Sequence, residues 1–257
     1  GSSALQDQDA GADAYNIAIG HNAGLSVTTG IQNVIVGGLA ADALTTGGGN
    51  VALGDRALSA EDTGNYSVAV GYRALQQQDN NDNNYNIAVG ADAGRSINSG
   101  IYNVVIGGLA GDALTSGTRN VAIGLNALGS EDTGSHNVAI GHGALKTADA
   151  GADAYNVAIG SSAGTAVTTG TLNTIVGGLA GDALTTGDSN VAIGYAAMGA
   201  ADGSESRNVA IGYAALATMN NDASNYNTAV GYAAGFNITT GADNTIVGGL
   251  AGDSLTT

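Results

Sequence analysis

A five-residue phrase, Asn-x-x-x-Gly, recurs along the whole chain at spacings of 17 to 19 residues. Its fifth position is Gly in all fourteen copies, from Gly20 to Gly248, and an Ala always stands three residues further on. A unit of this length with one short strand cannot bury its own apolar side chains, whereas similar units stacked on one another can. The repeat therefore predicts an all-β solenoid of about fourteen coils, each giving one strand in parallel register.

The first position of the phrase is Asn in every copy but one, where Ser67 replaces it. Asn at the same place in successive coils can form a ladder of side-chain amides. We expect this structural ladder at Asn16, Asn33, Asn50, Asn86, Asn103, Asn120, Asn137, Asn156, Asn173, Asn190, Asn208, Asn227 and Asn244.

A second rhythm groups the coils in fours, giving super-repeats of about seventy residues that begin at Asn16, Asn86, Asn156 and Asn227. The second coil of each super-repeat has Ile or Val at the centre of its strand, where the other coils have Ala: Ile35, Val105, Ile175 and Ile246. In a thin, Ala-rich roll we expect these side chains on an exposed second face, where they need a partner.

Composition narrows the function classes. The formal net charge is −16, with 6 Lys and Arg against 22 acids, so nucleic acid is not expected as a partner. The chain has no Cys, which is compatible with an extracellular life. It has no run of 18 apolar residues, so no membrane insertion is expected. Residues 1–3 look like a cloning remnant, and residues 4–257 are interpreted as a single solenoid domain excerpted from a longer array.

The phrase Asn-Val-Ala-Ile-Gly, as at 120–124 and 190–194, resembles the head repeat of trimeric autotransporter adhesins, whose phrase is Asn-Ser-Val-Ala-Ile-Gly. Residues 66–71 come closest to it, and residues 227–234 are similar to arrays in phage tail-fibre-like proteins. The resemblance implies a left-handed parallel β-roll that forms a homotrimer. It also implies an extracellular location, on a bacterial cell surface or a phage virion. The coils here are longer than the family repeat, which leaves the number of facets open.

From that resemblance we expect a non-enzymatic structural and adhesive segment of a surface adhesin or tail fibre. The expected partners are two further copies of the chain and a host-surface glycan or protein, engaged through many weak sites at once. The alternative is a ligand-binding solenoid, for ice or calcium, that acts as a single chain. No cofactor is expected, apart from calcium under that alternative.

Four Tyr residues recur just before the first coil of each super-repeat and are candidates for stacking on sugar rings: Tyr15, Tyr85, Tyr155 and Tyr226. The competing interpretation is that they pack over a coil edge or between chains.

The stretch GGLAGDAL at residues 107–114 resembles the calcium-binding nonapeptide Gly-Gly-x-Gly-x-Asp-x-Leu. Its third Gly is displaced, and it recurs once per super-repeat rather than in consecutive turns. A calcium site is therefore not favoured here, and each Asp is more simply a cap of its own turn. The residues concerned are Asp42, Asp112, Asp182 and Asp253.

Two further patterns bear on ligands and catalysis. Paired Thr residues, as at 28–29 and 168–169, suggest ice binding with one outward hydroxyl per pair, but the pairs are missing from the third and fourth coils.

The acid pairs Glu61–Asp62 and Glu131–Asp132 are expected in solvated turns. The three His residues stand at non-equivalent places of the repeat, so no nucleophile–base pair is indicated and no enzyme is expected.

Overall fold

The computed structural model describes residues 1–11, 13–151 and 153–257. These residues form fourteen strands of three residues each and no helix, in two compact units. The first unit, residues 1–125, holds β1 (Ile17–Ile19), β2 (Val34–Val36), β3 (Val51–Leu53), β4 (Val68–Val70), β5 (Ile87–Val89), β6 (Val104–Ile106) and β7 (Val121–Ile123). The second, residues 126–257, holds β8 (Val138–Ile140), β9 (Val157–Ile159), β10 (Thr174–Val176), β11 (Val191–Ile193), β12 (Val209–Ile211), β13 (Thr228–Val230) and β14 (Thr245–Val247).

Within each unit the strands pair in parallel and in sequence order. The register is that of the repeat: Ile17 lies beside Val34 in the first unit, and Val138 beside Val157 in the second. One strand per coil, stacked on the next coil, is a β-solenoid of about fourteen coils. This confirms the all-β, parallel, repetitive architecture. The assignment of all coils to a single domain stays a prediction.

The solenoid interior receives the central residue of each strand, and the two flanking residues point outward. From β2 to β14 the central residue is buried, whereas its neighbours are partly or well exposed. The expectation that Ile35, Val105, Ile175 and Ile246 lie on an exposed face is therefore wrong, because these four are core residues. The outward face of each strand instead carries Val, Ile, Leu or Thr, as in Val104 and Ile106.

Core volume explains why a large central residue is tolerated in the second coils. Counting the first residue of the phrase as position 1, the interior is filled by positions 3, 8, 9 and 12. A Cβ added to Gly24 at position 9 would lie 2.8 Å from Cδ1 of Ile35, so a small residue there leaves room for the large strand residue. Third and fourth coils reverse this arrangement, with Leu58 or Leu75 at position 9 and Ala in the strand. The interior is thus kept close-packed.

The invariant Gly of the phrase is required by the stacking of backbone on backbone. Gly37 has a φ of 142°, and a Cβ built on it would lie 2.2 Å from the carbonyl oxygen of Gly54 in the next coil. The same close approach follows at Gly54 and Gly71. Any side chain at this position would push the coils apart.

The coils turn at residues with a left-handed backbone. In the coil that begins at Ser67, these are Tyr66 before it, Arg73 at position 7 and Leu75 at position 9, with φ of 61°, 53° and 49°. Residues at the start of the chain share this geometry, since Ser3 and Leu5 have φ of 57° and 49° and Leu5 N–H donates to Ala23 O. Residues 1–3 therefore lie in the register of the repeat.

The buried Asn residues bond each coil to the next. The side-chain Oδ1 of Asn33 accepts the backbone N–H of Asn50 at 2.9 Å, and its Nδ2 donates to Gly47 O at 2.9 Å. Asn103 repeats both contacts, with Asn120 N–H and with Gly117 O. The ladder is therefore built mainly of side chain to backbone bonds, which satisfy amides that a buried coil corner would otherwise leave without a partner.

Candidate functional site

An acidic cluster lies at the polar turn between the third and fourth coils of the first unit. Carboxylate oxygens of Glu61, Asp62 and Asp79 all lie within 4.8 Å of one another. Glu61 occupies position 12, which in the first two coils of a super-repeat holds a core residue such as Leu44. Leu58 at position 9 supplies the core volume in this coil, so position 12 can be polar.

Glu61 is completely buried, so the expectation of a solvated turn is wrong for this residue. Its Oε1 accepts the backbone N–H of Gly64 at 2.6 Å. Its Oε2 accepts the side-chain amides of Gln78 and Asn84, both at 2.9 Å. Burial raises the pKa of Glu61 above its ordinary value, because desolvation of the charged form outweighs these hydrogen bonds.

The second unit repeats the cluster with Glu131, Asp132 and Asp149, whose carboxylate oxygens also lie within 4.8 Å of one another. Glu131 is completely buried and accepts the backbone N–H groups of Gly134 at 2.7 Å and of Ala150 at 3.4 Å. Burial again raises the pKa of this glutamate, and the nearby charges of Asp149 and Asp132 raise it further.

A third buried glutamate lies in the corresponding polar turn of the next super-repeat, but at a different repeat position. Glu205 in the second unit accepts the N–H groups of Gly203 and of Asn221, each at 3.0 Å. Its super-repeat has Ala201 where the others have Glu61 and Glu131, and Asn220 where they have Asp79 and Asp149. No cluster of three acids forms among the described residues there.

The aspartates of the GGLAGDAL stretches lie apart from these clusters. Asp42, Asp112 and Asp182 are partly buried, and desolvation raises the pKa of each. The carboxylate of Asp112 lies 4.0 Å from Nη2 of Arg95. Neither these three nor Asp253 belongs to an acidic group close enough to hold a metal ion among the described residues.

The four candidate Tyr side chains are all exposed, and each stands directly before the first position of its coil. The ring of Tyr85 is stacked between those of Tyr66 and Tyr102, with centroids 5.2 and 5.8 Å away. Tyr155 stacks on His136, with centroids 4.7 Å apart. Both faces of the Tyr85 ring are covered, so a sugar would meet its edge and hydroxyl rather than stack on it.

The other two candidate Tyr residues have different neighbours. The hydroxyl of Tyr15 donates to Oδ2 of Asp13 at 3.1 Å. The guanidinium of Arg207 lies over the ring of Tyr226, 5.7 Å from its centroid.

A second aromatic stack lies in the column that follows the invariant Gly. Tyr195, Tyr213 and Tyr232 in the second unit have centroid separations of 5.6 and 5.2 Å. Each is about half exposed. Each of them stands directly after the Gly of the phrase, so their alignment is visible in the sequence.

The Thr pairs contribute one hydroxyl each to the stacking of coils. Oγ1 of Thr28 donates to Thr45 O at 3.2 Å, and Oγ1 of Thr168 donates to Thr185 O at 3.2 Å. The second Thr of these pairs is exposed, at positions 29 and 169. The pattern therefore offers one outward hydroxyl in each of these coils.

Two findings complete the description. Within residues 1–11, 13–151 and 153–257, no helix has the length and apolar character needed to cross a membrane. No family model matches the chain, and neither a curated protein nor a solved structure shows significant similarity to it.

Proposed function

We propose that this chain is a segment of a homotrimeric, left-handed β-roll that acts without catalysis in attachment, as part of a surface adhesin or a tail fibre. The observation that carries the proposal is the outward face of the strands. That face recurs in every coil of both units and is mainly apolar, with Thr at position 2 only in Thr174, Thr228 and Thr245. The trimeric state, the handedness and the extracellular role come from the resemblance of the phrase Asn-Val-Ala-Ile-Gly.

The outward face consists of two columns of side chains, at positions 2 and 4. Ile106 in the first unit is 36 % exposed, and Ile159 in the second is 38 % exposed. Single exposed apolar side chains are ordinary, whereas contiguous apolar columns mark a surface that another molecule covers. A second copy of the chain has the same apolar columns at the same strand spacing. The face of one copy can therefore pack against the face of another, coil by coil.

Attachment would use the remaining, polar surface. The Tyr stacks around Tyr85 and Tyr213 present ring edges and hydroxyls in a column, at the spacing of the coils. Such edges suit hydrogen bonding to a host-surface glycan or protein. Because the coils repeat and three chains associate, weak contacts would be multiplied into useful avidity.

Light scattering on a sizing column tests the association. One chain has a mass of 24.8 kDa, so three times that mass, 74.4 kDa, is expected. Ile106→Lys and Ile159→Lys each place a charge on the outward strand face and should convert the trimer to monomers. Ser116→Lys puts the same charge on an exposed residue outside that face and should leave the trimer intact. Far-ultraviolet circular dichroism checks that the coils stay folded in all three variants.

A monomeric wild-type chain would contradict the proposal and favour the single-chain alternative. Thermal hysteresis would then support ice binding through the exposed Thr hydroxyls. Loss of the trimer in Ser116→Lys to the same extent as in Ile106→Lys would show that the apolar face is not the interface.

A further inference from the structure

The two three-ring Tyr stacks hold phenol rings of successive coils side by side. In the first unit the ring centroids of Tyr66 and Tyr85 are 5.2 Å apart, and the ring planes differ by 16°. In the second unit the centroids of Tyr213 and Tyr232 are 5.2 Å apart, with planes that differ by 10°. Neighbouring strands of a sheet lie about 4.7–4.9 Å apart, so the two side chains of each pair leave their coils in similar directions.

The stacked rings are also open to solvent. Their exposed fractions lie between 44 % for Tyr102 and 59 % for Tyr232. A phenol that loses one electron and its hydroxyl proton becomes a radical, and two such radicals combine when they meet. Rings held side by side in one chain meet without the encounter of two separate chains, which strongly favours their coupling.

We propose that the pairs Tyr66–Tyr85 and Tyr213–Tyr232 are sites of oxidative cross-linking, where a haem peroxidase with hydrogen peroxide joins the two side chains as dityrosine. Each ring gives up one electron and its phenolic proton. The two radicals then form a carbon–carbon bond between Cε atoms, which lie next to the hydroxyl-bearing carbons. The hydrogen on each bonded carbon moves as a proton to the oxygen of its own ring. The two electrons and two protons released reduce one hydrogen peroxide to two waters.

The choice of pair within each stack follows from distance. Tyr85 also neighbours Tyr102, but their centroids are 5.8 Å apart. The other pair of the second stack, Tyr195 and Tyr213, is separated by 5.6 Å. The closer rings need the smaller rotation to bring their Cε atoms together, so each stack gives one main link.

The cross-link would connect coils covalently in a chain that has no Cys and therefore no disulfide. In both units the two linked residues are 19 residues apart in sequence. Closing a loop of this kind restricts the unfolded chain, as a disulfide does. The inference goes beyond the proposed attachment function and does not depend on the association of chains, because both rings of each pair belong to one unit of one chain.

Treatment of the dilute full chain with a haem peroxidase and hydrogen peroxide tests the proposal. We expect dityrosine fluorescence in the band that has the mass of a single chain on a denaturing gel. Trypsin, which cleaves after Lys and Arg, separates Tyr66 from Tyr85 and leaves them on peptides 57–73 and 74–95. Mass spectrometry should find these two peptides joined, with two hydrogens fewer than their sum. Peptide 208–257 holds both rings of the second pair and should lose two hydrogens itself.

Substitution by Phe keeps each ring in its stack but removes the phenol that forms the radical. Tyr85→Phe should abolish the link between the two peptides. Combined with Tyr213→Phe, it should lower the total yield roughly tenfold, since only encounters between separate chains remain. Tyr155→Phe is the matched control and should leave the yield unchanged, because Tyr155 is 50 % exposed but stacks on His136. Circular dichroism checks that all variants are folded.

Three results would overturn the inference. The first is no dityrosine in the chain under conditions that couple free tyrosine. The second is dityrosine confined to bands of twice the chain mass, which would place the links between chains. The third is an unchanged yield in the double variant with Tyr85→Phe and Tyr213→Phe. A link of peptide 74–95 to 96–119 rather than to 57–73 would overturn the choice of pair in the first unit.

Discussion

The two units use the same four residues, Glu-Asp-Thr-Gly, to begin the turn at 61–64 and at 131–134, yet surround the buried glutamate differently. Glu61 accepts two side-chain amides and a backbone amide, whereas Glu131 accepts the backbone amides of Gly134 and Ala150. The difference arises in the next coil, from Gln78 and Asn84 in one unit and Ala148 and Ala154 in the other.

This contrast shows that a repeat position is defined by its neighbours above and below as well as by its own residue. Gln78 also donates to Oγ of Ser67, the one position where the ladder lacks an Asn, and accepts from Nδ2 of Asn86. In the coil whose ladder position is Ser67, position 12 of the same coil thus supplies an amide. In the second unit Asn137 is present, and position 12 of that coil is Ala148.

The largest effect is expected from removal of each glutamate. Glu61→Ala leaves the buried donors of Gln78, Asn84 and Gly64 without an acceptor, at a cost of about 1–3 kcal/mol each, so a loss of at least 3 kcal/mol is expected. Glu131→Ala should cost less, because only two backbone N–H groups lose their acceptor, one of them bonded at 3.4 Å. Urea unfolding, followed by circular dichroism in EDTA, measures both. Equal losses would contradict the comparison.

A smaller effect should follow from exchanging the neighbours. Gln78→Ala makes the first unit resemble the second and should cost about 1–2 kcal/mol, since Glu61 and Ser67 lose a shared donor. Ala148→Gln forces a larger side chain into a packed position and should also destabilise. Adding Asn137→Ser to Ala148→Gln should recover part of that loss. If the effects of Ala148→Gln and Asn137→Ser are additive in a double-mutant cycle, an amide at position 12 does not substitute for the ladder Asn.

The pH dependence of stability separates the glutamates further. For a carboxyl group whose pKa is higher in the folded state, stability is fully present below the unfolded pKa and is lost as the pH rises through the folded value. The free energy of unfolding should therefore increase as the pH falls from 7 towards the ordinary value of 4.5. Glu131→Gln, measured in EDTA beside the wild type, should flatten this rise. An unchanged pH profile would show that Glu131 does not contribute to it.

The smallest effect concerns the three-ring Tyr stacks, which stand before the phrase in the first unit and after its Gly in the second. Tyr85→Ala and Tyr213→Ala each remove the middle ring of three, at about 0.5–1.5 kcal/mol beyond lost area. Tyr232→Ala removes an end ring and should cost less. Melting temperatures of the three variants rank them, and a greater loss for the end ring would exclude stacking as the cause.

Much of the fold could be predicted because the repeat is strict. The spacing of the phrase gave the number of coils, the parallel register and the invariant Gly positions. The site was harder to foresee, since Glu61 and Glu131 stand in a run of polar residues that is typical of an exposed turn. Position 12 holds Val, Leu or Ile in the first and second coils of each super-repeat, and that alignment was the signal for burial. This signal can be interpreted only once Leu58, at position 9, is known to fill the core of that coil.

The sequence by itself determined the periodic architecture, because stacking similar units is the only way such short strands bury their apolar residues. Only the tertiary structure decided which strand face is inside. Side chains alternate between the two faces of a strand, so the period alone does not say which face is buried. The Val and Ile residues at positions 2 and 4 are more apolar than the Ala at position 3, and apolarity alone would place them inside. Leu58 and Leu75, buried and left-handed at position 9, fill the interior beside the small strand centres Ala52 and Ala69, and the larger residues at positions 2 and 4 lie outside. That conformation is unfavourable for Leu in isolation and is stabilised only by the packed coils around it.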